Sequence, residues 1–133
     1  MKTEIFTLCD AATEQQGKLN LLGSFDQLNA KQAPISHPGC TLALKLRFTK
    51  IEEGKHNVKI TFGDEDGNLV MPPIEFPLTI VVAPGESTAT SHLVLNMQQL
   101  KLPSFGEYTI DLAVDGRAEA ALPLYVRKLP ESA

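Results

Sequence analysis

Residues 93–117 read LVLNMQQLKLPSFGEYTIDLAVDGR, and this stretch decides the fold class of the chain. It starts with apolar residues at every second position, as in a β-strand with one buried face. Residues 102–106 interrupt the alternation, which resumes at Tyr108 and leads to Asp115–Gly116, a dipeptide typical of a hairpin turn. A strand, a short corner, a second strand and a tight turn together predict an all-β, antiparallel β-sandwich.

The same period of two recurs along the rest of the chain. Its clearest example runs from Cys40 to Phe48, where every second residue is apolar and most of the residues between them are polar. This pattern predicts a strand with one buried face and one face in water. We predict about eight strands, within a range of seven to nine, at the even spacing that is typical of a sandwich.

Prolines mark two places where the pattern changes. Pro77 lies within the strand predicted at residues 74–82 and lacks an N–H group, so this strand should be an edge or carry a bulge. Residues 29–39 contain Pro34 and Pro38 and have no clear period. We predict that they form a loop that crosses between the two sheets.

The last hairpin allows a prediction of register. A simple two-residue turn at Asp115–Gly116 would place Leu112 opposite Glu119 and mix the two faces of the sheet. If three residues loop out, every inward residue meets another inward residue, in the pairs Leu112–Ala120, Ile110–Leu122 and Tyr108–Leu124. We therefore predict an odd-numbered loop, or a two-residue turn combined with a bulge.

The segment Gly106-Glu107-Tyr108 resembles the tyrosine corner of immunoglobulin-type sandwiches, in which a Tyr near the start of the penultimate strand bonds back to the corner's backbone. The apolar residues around it share the spacing of that fold's Leu-x-Ile…Leu…Asp-x-Gly-x-Tyr-x-Cys run. Ser104 stands in place of the Asp, Ile110 in place of the disulfide Cys, and the chain has no Trp. The resemblance implies an immunoglobulin-like, Greek-key sandwich with structural roles for Gly106 and Tyr108, and no activity.

Taken whole, the chain also resembles a family of small, uncharacterised bacterial proteins that is known as a domain of unknown function. Three segments carry the likeness: EIFTLCDAAT at residues 4–13, KLNLLGSFD at residues 18–26 and LKLPSFGEY at residues 100–108. The resemblance implies a bacterial source and a compact, stand-alone domain, and it implies no activity.

The chain has 133 residues, enough for one domain with a core that needs no disulfide or metal. We place this domain at residues 1–127 and expect residues 128–133 to form a frayed tail. Twelve basic and sixteen acidic side chains give a net charge of -4, and they are scattered along the chain. Nucleic acid and membranes are therefore not expected as partners, because duplexes and anionic lipid surfaces attract clustered Lys and Arg.

The N-terminus has no apolar run followed by a cleavage site of small residues, so we predict no signal peptide. No segment approaches the ~20 consecutive apolar residues of a membrane-spanning helix. These observations predict a cytoplasmic protein, in which Cys9 and Cys40 should be free, buried thiols.

Four residues are weak candidates for metal ligands. His37 and Cys40 lie three positions apart and could contribute to a zinc site, but the sequence offers no second pair of ligands. Asp64 and Asp66 begin a partial match to a calcium-binding loop, in which Leu69 occupies the position of the required glycine. We expect no metal and no cofactor, and we interpret the two sites as a buried thiol beside a loop histidine and as an acidic turn.

No pattern in the sequence indicates catalysis. His37 and Cys40 could act as a base and a nucleophile, but a reactive Cys needs an exposed and electropositive setting, often at a helix N-terminus. No helix longer than one turn is predicted, and no Ser-His-Asp set, phosphate-binding loop or cofactor fingerprint is present. We therefore expect that the protein is not an enzyme.

The predicted function is that of a non-enzymatic binding or accessory domain, which contacts an unidentified protein or a second copy of itself. One candidate surface is the loop at residues 29–39 with Pro34 and His37. The other is the final strand, where Tyr125 should point outward and Pro123 should protect an exposed edge. The alternative is a domain that binds a metal or a small ligand through the four weak candidates.

Overall fold

A computed structural model describes residues 1–130 as two β-sheets that pack face to face. The nine strands are, in chain order, β1 (Lys2–Gln15), β2 (Lys18–Ser24), β3 (Gln27–Ala30), β4 (Ile35–Thr49), β5 (Gly54–Gly63), β6 (Ile74–Ile80), β7 (Thr88–Leu102), β8 (Gly106–Val114) and β9 (Arg117–Lys128). A single 3₁₀ turn at Lys50–Glu52 connects β4 to β5. Within residues 1–130, no helix has the length and apolar character needed to cross a membrane.

One sheet has the strand order β2-β1-β4-β7, and the other has the order β3-β9-β8-β5-β6. β4 and β7 are neighbours although β5 and β6, which separate them in the chain, belong to the other sheet. Such crossing connections are typical of a Greek key, and the fold is the immunoglobulin-like sandwich that the corner predicts. The described strand pairs are antiparallel as predicted, with one exception: β3 and β9 run parallel.

The loop predicted at residues 29–39 is mostly strand, so this prediction is wrong in extent. β3 ends at Ala30 and β4 begins at Ile35, which leaves residues 31–34 as the connection. Pro34 is exposed at the end of this short loop. These segments show no clear alternation in the sequence, because β3 has only four residues and the first part of β4 contains Pro and Gly.

Three prolines lie in strands at places where the strand lacks a neighbour on one side. Pro38 lies in the first part of β4, before Thr41, and this part is not paired with β1. Pro77 lies in β6, an edge strand as predicted. Pro123 lies in β9 just before residues 125–128, the segment that β3 pairs with. These positions are compatible with a residue that has no N–H to donate.

The core lies between the two sheets and follows the predicted alternation. β4 contributes four side chains that have no exposed surface: Leu42, Leu44, Leu46 and Phe48. Side chains of the facing sheet that pack in the same core include Val58, Ile60, Ile110 and Leu112. Burial of large apolar side chains on this scale is the main favourable term in folding.

The side chains on the outer face of β4 are more buried than the alternating pattern predicts. Thr41 and Ala43 point away from the core but are buried, as is Cys9 on β1. β1 stops pairing with β4 at Cys9, and the carboxylate of Glu14 lies 3.8 Å from Nδ1 of His92 on β7. A straight strand would carry Glu14 about 16 Å beyond Cys9 and away from His92. The end of β1 therefore bends across the outer face of its own sheet.

The hairpin of β8 and β9 has the predicted register. Asp115 and Gly116 form the two-residue turn with φ values of 53° and 79°, the left-handed values that such a turn requires. Glu119 is the additional residue of a bulge, since Ala118 pairs with Ala113 and Ala120 pairs with Leu112. The inward pairs are then those that the apolar pattern predicts: Leu112–Ala120, Ile110–Leu122 and Tyr108–Leu124.

The tyrosine corner is formed at the start of β8. The buried hydroxyl of Tyr108 donates to the carbonyl of Ser104 at 2.7 Å and accepts from its N–H at 3.2 Å. Gly106 has a φ of 141°, and a Cβ there would lie 2.8 Å from Oε1 of Glu65. The same oxygen accepts the N–H of Glu107 at 2.7 Å. The corner therefore uses a glycine for its backbone conformation and a tyrosine for its hydrogen bonds.

Strand pairing continues past residue 127, the predicted end of the domain. Lys128 pairs with Ala30, and the N–H of Leu129 donates to the carbonyl of Ala30 at 2.8 Å. The start of the predicted tail, residues 128–133, is therefore held by β3. Residues 131–133 lie outside the described residues.

Candidate functional site

His37 and Cys40 lie on the same strand, and no third ligand joins them. Cys40 is 3% exposed, and burial raises the pKa of its thiol to about 11. The ring of His37 packs against Phe25 with a centroid distance of 5.9 Å. Its Nε2 atom is buried and has no hydrogen-bond partner among the described residues. Throughout residues 1–130, no three His, Cys, Asp or Glu side chains come together in a group that could hold a metal ion.

Asp64 and Asp66 lie in the turn that follows β5. Oδ1 of Asp64 accepts the N–H groups of Asp66 and Asn68, both at 2.9 Å. Glu75, which stands at the last position of the partial calcium pattern, instead accepts a hydrogen bond from the side chain of Asn57 at 2.8 Å. The carboxylate of Asp64 thus holds the backbone of its own turn, in the manner of an Asx turn.

Tyr125 points outward, between the buried Leu124 and Val126, but it does not lie on a free edge. Gln27 of β3 pairs with it, so the expectation of an exposed edge is wrong at this position. The guanidinium carbon of Arg127 lies 5.0 Å from the centroid of its ring, in a cation–π contact. Tyr125 is consequently half-buried, with one flank covered by β3.

A groove of about 430 Å³ lies between the two sheets, beside the start of the edge strand β6 and the last part of the edge strand β7. Residues 96–101 of β7 line one side of it, and residues 70–74, which lead into β6, line the other. The apolar part of the lining consists of Val70, Met71, Pro72, Ile74, Met97 and Leu100. We take this groove and the free side of β7 as the candidate binding site.

A local change of conformation shapes the β7 side of the groove. Met97 and Leu100 are both buried in the core although a regular strand would place residues three positions apart on opposite faces. Gln99 lies between them with a φ of 51°, and this left-handed conformation resets the alternation. The side chains of Gln98 and Gln99 are left exposed beside the apolar lining.

Lys101 is the only charged residue among those that line the groove in residues 1–130. Its side chain is exposed, and no carboxylate of the described chain forms an ion pair with it. The groove therefore combines an apolar surface, several amide side chains and one free positive charge.

β7 differs from the other edge strands in its length and in its long run without charge or Pro, although Gln99 near its end is left-handed. Edges are normally short, charged, bulged or interrupted by Pro, because a bare edge pairs with other chains. β3 has four residues, β6 contains Pro77, and β2 has a left-handed Gly23 within seven residues. β7 has fifteen residues and contains no Asp, Glu, Lys, Arg or Pro from Thr88 to Leu100. This uncharged run is the signal by which the site could have been found from the sequence.

A separate polar cluster joins β5 to the turn between β8 and β9. Nδ1 of His56 lies 2.6 Å from a carboxylate oxygen of Asp115, and Nε2 lies 2.5 Å from the carbonyl oxygen of Glu52. The Glu52 carbonyl and then the Asp115 carboxylate raise the pKa of His56, since both favour the doubly protonated ring. Neither nitrogen is free to take a proton from a substrate. His56, which looks like a plain surface residue in the sequence, therefore ties two distant segments together.

The comparisons with known proteins identify the family of the chain and a solved structure with a similar fold. Residues 4–127 match the model of a family described as a family of unknown function (DUF6941). No curated protein matches the sequence. The structure is similar to that of the Pseudomonas fluorescens alkylpurine DNA glycosylase AlkC bound to DNA containing an abasic site analog, with a TM-score of 0.58 and 12% identity. That likeness covers 95% of this chain and 30% of the glycosylase chain, so this chain spans less than a third of that protein.

An immunoglobulin-like protein from Pseudomonas aeruginosa is also similar in structure, with a TM-score of 0.43 and 14% identity over 95% of both chains. At such low identity, the likeness to the glycosylase concerns the fold alone.

Proposed function

We propose that this chain, which belongs to the family of unknown function DUF6941, is a protein-interaction domain that binds an extended segment of a partner protein along β7. The observation that carries the proposal is the long edge of β7, which has no charged residue or Pro from Thr88 to Leu100, beside an apolar groove. An added strand would satisfy the free backbone groups of the edge, and its side chains would reach the groove. A bare edge of this length would otherwise favour aggregation.

Several observations support a non-enzymatic role. Burial raises the pKa values of Cys9 and Cys40, which keeps both thiols protonated and poor as nucleophiles. His56 uses both ring nitrogens in structural hydrogen bonds. The groove itself is lined by one titratable side chain, that of Lys101, whereas catalysis by acids, bases or nucleophiles usually needs several such groups in one pocket.

The DNA that the glycosylase binds gives no reason to propose a nucleic-acid ligand here. The net charge of this chain is -4, and binding to a duplex depends on clustered positive side chains that neutralise phosphates. We retain the expectation of a cytoplasmic protein without a cofactor, in which a protein segment is the ligand.

Photo-crosslinking can test the proposal in a lysate of the source organism. A photoreactive amino acid replaces Gln98, which is exposed on β7 beside the groove, and in a matched variant it replaces Thr79, which is exposed on the protected edge strand β6. We expect the Gln98 variant to form an adduct with one main protein, in which a single extended segment is crosslinked. The Thr79 variant should form little or none of this adduct.

A charge introduced on the edge supplies the second arm of the experiment. Thr90→Lys places a lysine on the exposed part of β7, and Thr79→Lys places the same residue on β6. Capture of the crosslinked partner should fall for Thr90→Lys and persist for Thr79→Lys, because a charged edge opposes strand addition. Equal capture by both variants would refute the proposed site. Adducts that form only between copies of this chain would show that β7 mediates self-association and does not bind a different protein.

A further inference from the structure

We infer that the segment bound along β7 carries an aliphatic side chain that fills the groove and an acidic side chain that pairs with Lys101. This inference rests on the proposed function, since it specifies which protein segments the β7 edge would accept. The two requirements come from different features of the site, the apolar lining and the free positive charge.

The groove has the size and lining of a pocket for aliphatic side chains. An apolar cavity of about 150 Å³ is enough to hold benzene, and this groove measures about 430 Å³. The thioethers of Met71 and Met97 are flexible and can adapt to the shape of an inserted side chain. Filling the groove would also remove the remaining surface of Val70 and Ile74 from water, which favours binding.

Lys101 defines the charge of the partner. It lies at one end of the β7 segment that lines the groove, and its ammonium group has no ion-pair partner in residues 1–130. An Asp or Glu of the bound segment would meet this charge at the rim, where it discriminates between partners more than it adds affinity. Because Gln99 resets the alternation, Met97 faces the core and Lys101 faces outward. The aliphatic and acidic residues should therefore be separated by an odd number of positions along a paired strand.

The same features distinguish a different protein from a second copy of this chain. β7 contains no Asp or Glu anywhere between Thr88 and Leu102. Two copies paired through their β7 edges would therefore bring no carboxylate of that strand to Lys101. A segment of another protein with an aliphatic and an acidic residue satisfies both features of the site.

The test uses a phage-displayed library of random peptides, selected on the whole protein. We expect the selected peptides to share an aliphatic residue and an Asp or Glu at a constant, odd-numbered spacing. Replacement of that acidic residue by Lys should weaken binding about two- to five-fold, the range of an exposed ion pair. Lys101→Glu, on the exposed rim, should reverse this preference and restore the binding of the Lys-containing peptide.

The outcomes separate this inference from the proposed function. One outcome overturns the inference and leaves the β7 site in place. In it, peptides bind and Thr90→Lys weakens their binding, but no acidic residue is selected or Lys101→Glu leaves the preference for an acidic residue unchanged. If no peptide is selected, or if Thr90→Lys binds the selected peptides as well as Thr79→Lys does, the proposed function fails as well. Urea midpoints that equal the wild-type value establish that each variant is folded.

Discussion

Replacing Tyr108 by Phe removes one oxygen atom from the corner and leaves the ring in place. The hydroxyl makes two hydrogen bonds with the backbone of Ser104, as donor at 2.7 Å and as acceptor at 3.2 Å. The side chain is 1% exposed, so the hydroxyl itself is shielded from water in the folded protein. The ring keeps its edge contact with Phe62, at a centroid distance of 6.2 Å. The substitution therefore tests the hydrogen bonds and not the packing.

We expect Tyr108→Phe to lower the free energy of unfolding by about 1 to 2 kcal/mol. A typical hydrogen bond contributes about 0.5 to 1.5 kcal/mol net, and the longer of these two should contribute at the low end. The exposed backbone of Ser104 can regain part of this energy from water, which keeps the total below the sum of two strong bonds. With a urea dependence of about 2 kcal/mol/M, the midpoint should fall by about 0.5 to 1 M.

Urea unfolding followed by far-UV circular dichroism measures this shift without a Trp reporter. Tyr125→Phe is the matched control, because the Tyr125 hydroxyl has no hydrogen bond with any described residue and its loss should change stability by less than about 0.5 kcal/mol. If both variants unfold at the same urea concentration with the same slope, the corner does not stabilise the fold and our account of it is wrong.

Three further predictions concern the other structural features. The folded-state pKa of His56 is raised, so its charged ring stabilises the fold fully below the unfolded pKa of about 6.5, and this stabilisation is lost as pH rises through the higher folded value. The difference in urea midpoint between wild type and His56→Gln should therefore shrink from about pH 5.5 to about pH 9. A difference that does not depend on pH would contradict this account of His56. Gly106→Ala should cost about 1 to 3 kcal/mol through its φ of 141°, whereas Gly39→Ala, with ordinary space for a Cβ, should cost less in the same assay. Cys9 and Cys40 should react with a thiol reagent far more slowly in the folded protein than in urea, and fast labelling of the folded protein would show that they are accessible.

The features that were predictable from the sequence depend on neighbours in the chain. The alternation from Cys40 to Phe48 identifies a buried face because successive side chains of any strand point to opposite sides. The register of the last hairpin follows from the same rule together with the conformation that Asp115 and Gly116 adopt. Neither conclusion needs information about distant strands.

The candidate site was less accessible to such reasoning. The residues proposed from sequence motifs, His37 with Cys40 and Asp64 with Asp66, are not brought together with further ligands in the described part of the chain. The groove instead combines residues 70–74 with residues 96–101, two segments that share no motif. The lack of charge in β7 was visible, but it indicates a binding edge only once β7 is known to be the last strand of its sheet.

The amino-acid sequence by itself determined that the chain forms a β-sandwich, which side of residues 40–48 and of the last hairpin faces the core, and that a tyrosine corner lies at the start of β8. The three-dimensional packing determined that β3 covers Tyr125, that β1 bends over its own sheet, that His56 meets Asp115 and that β7 is left open. The division has a physical reason. Side-chain alternation and turn conformation are set by adjacent residues, whereas the order of strands in a sheet depends on contacts between residues far apart in the chain.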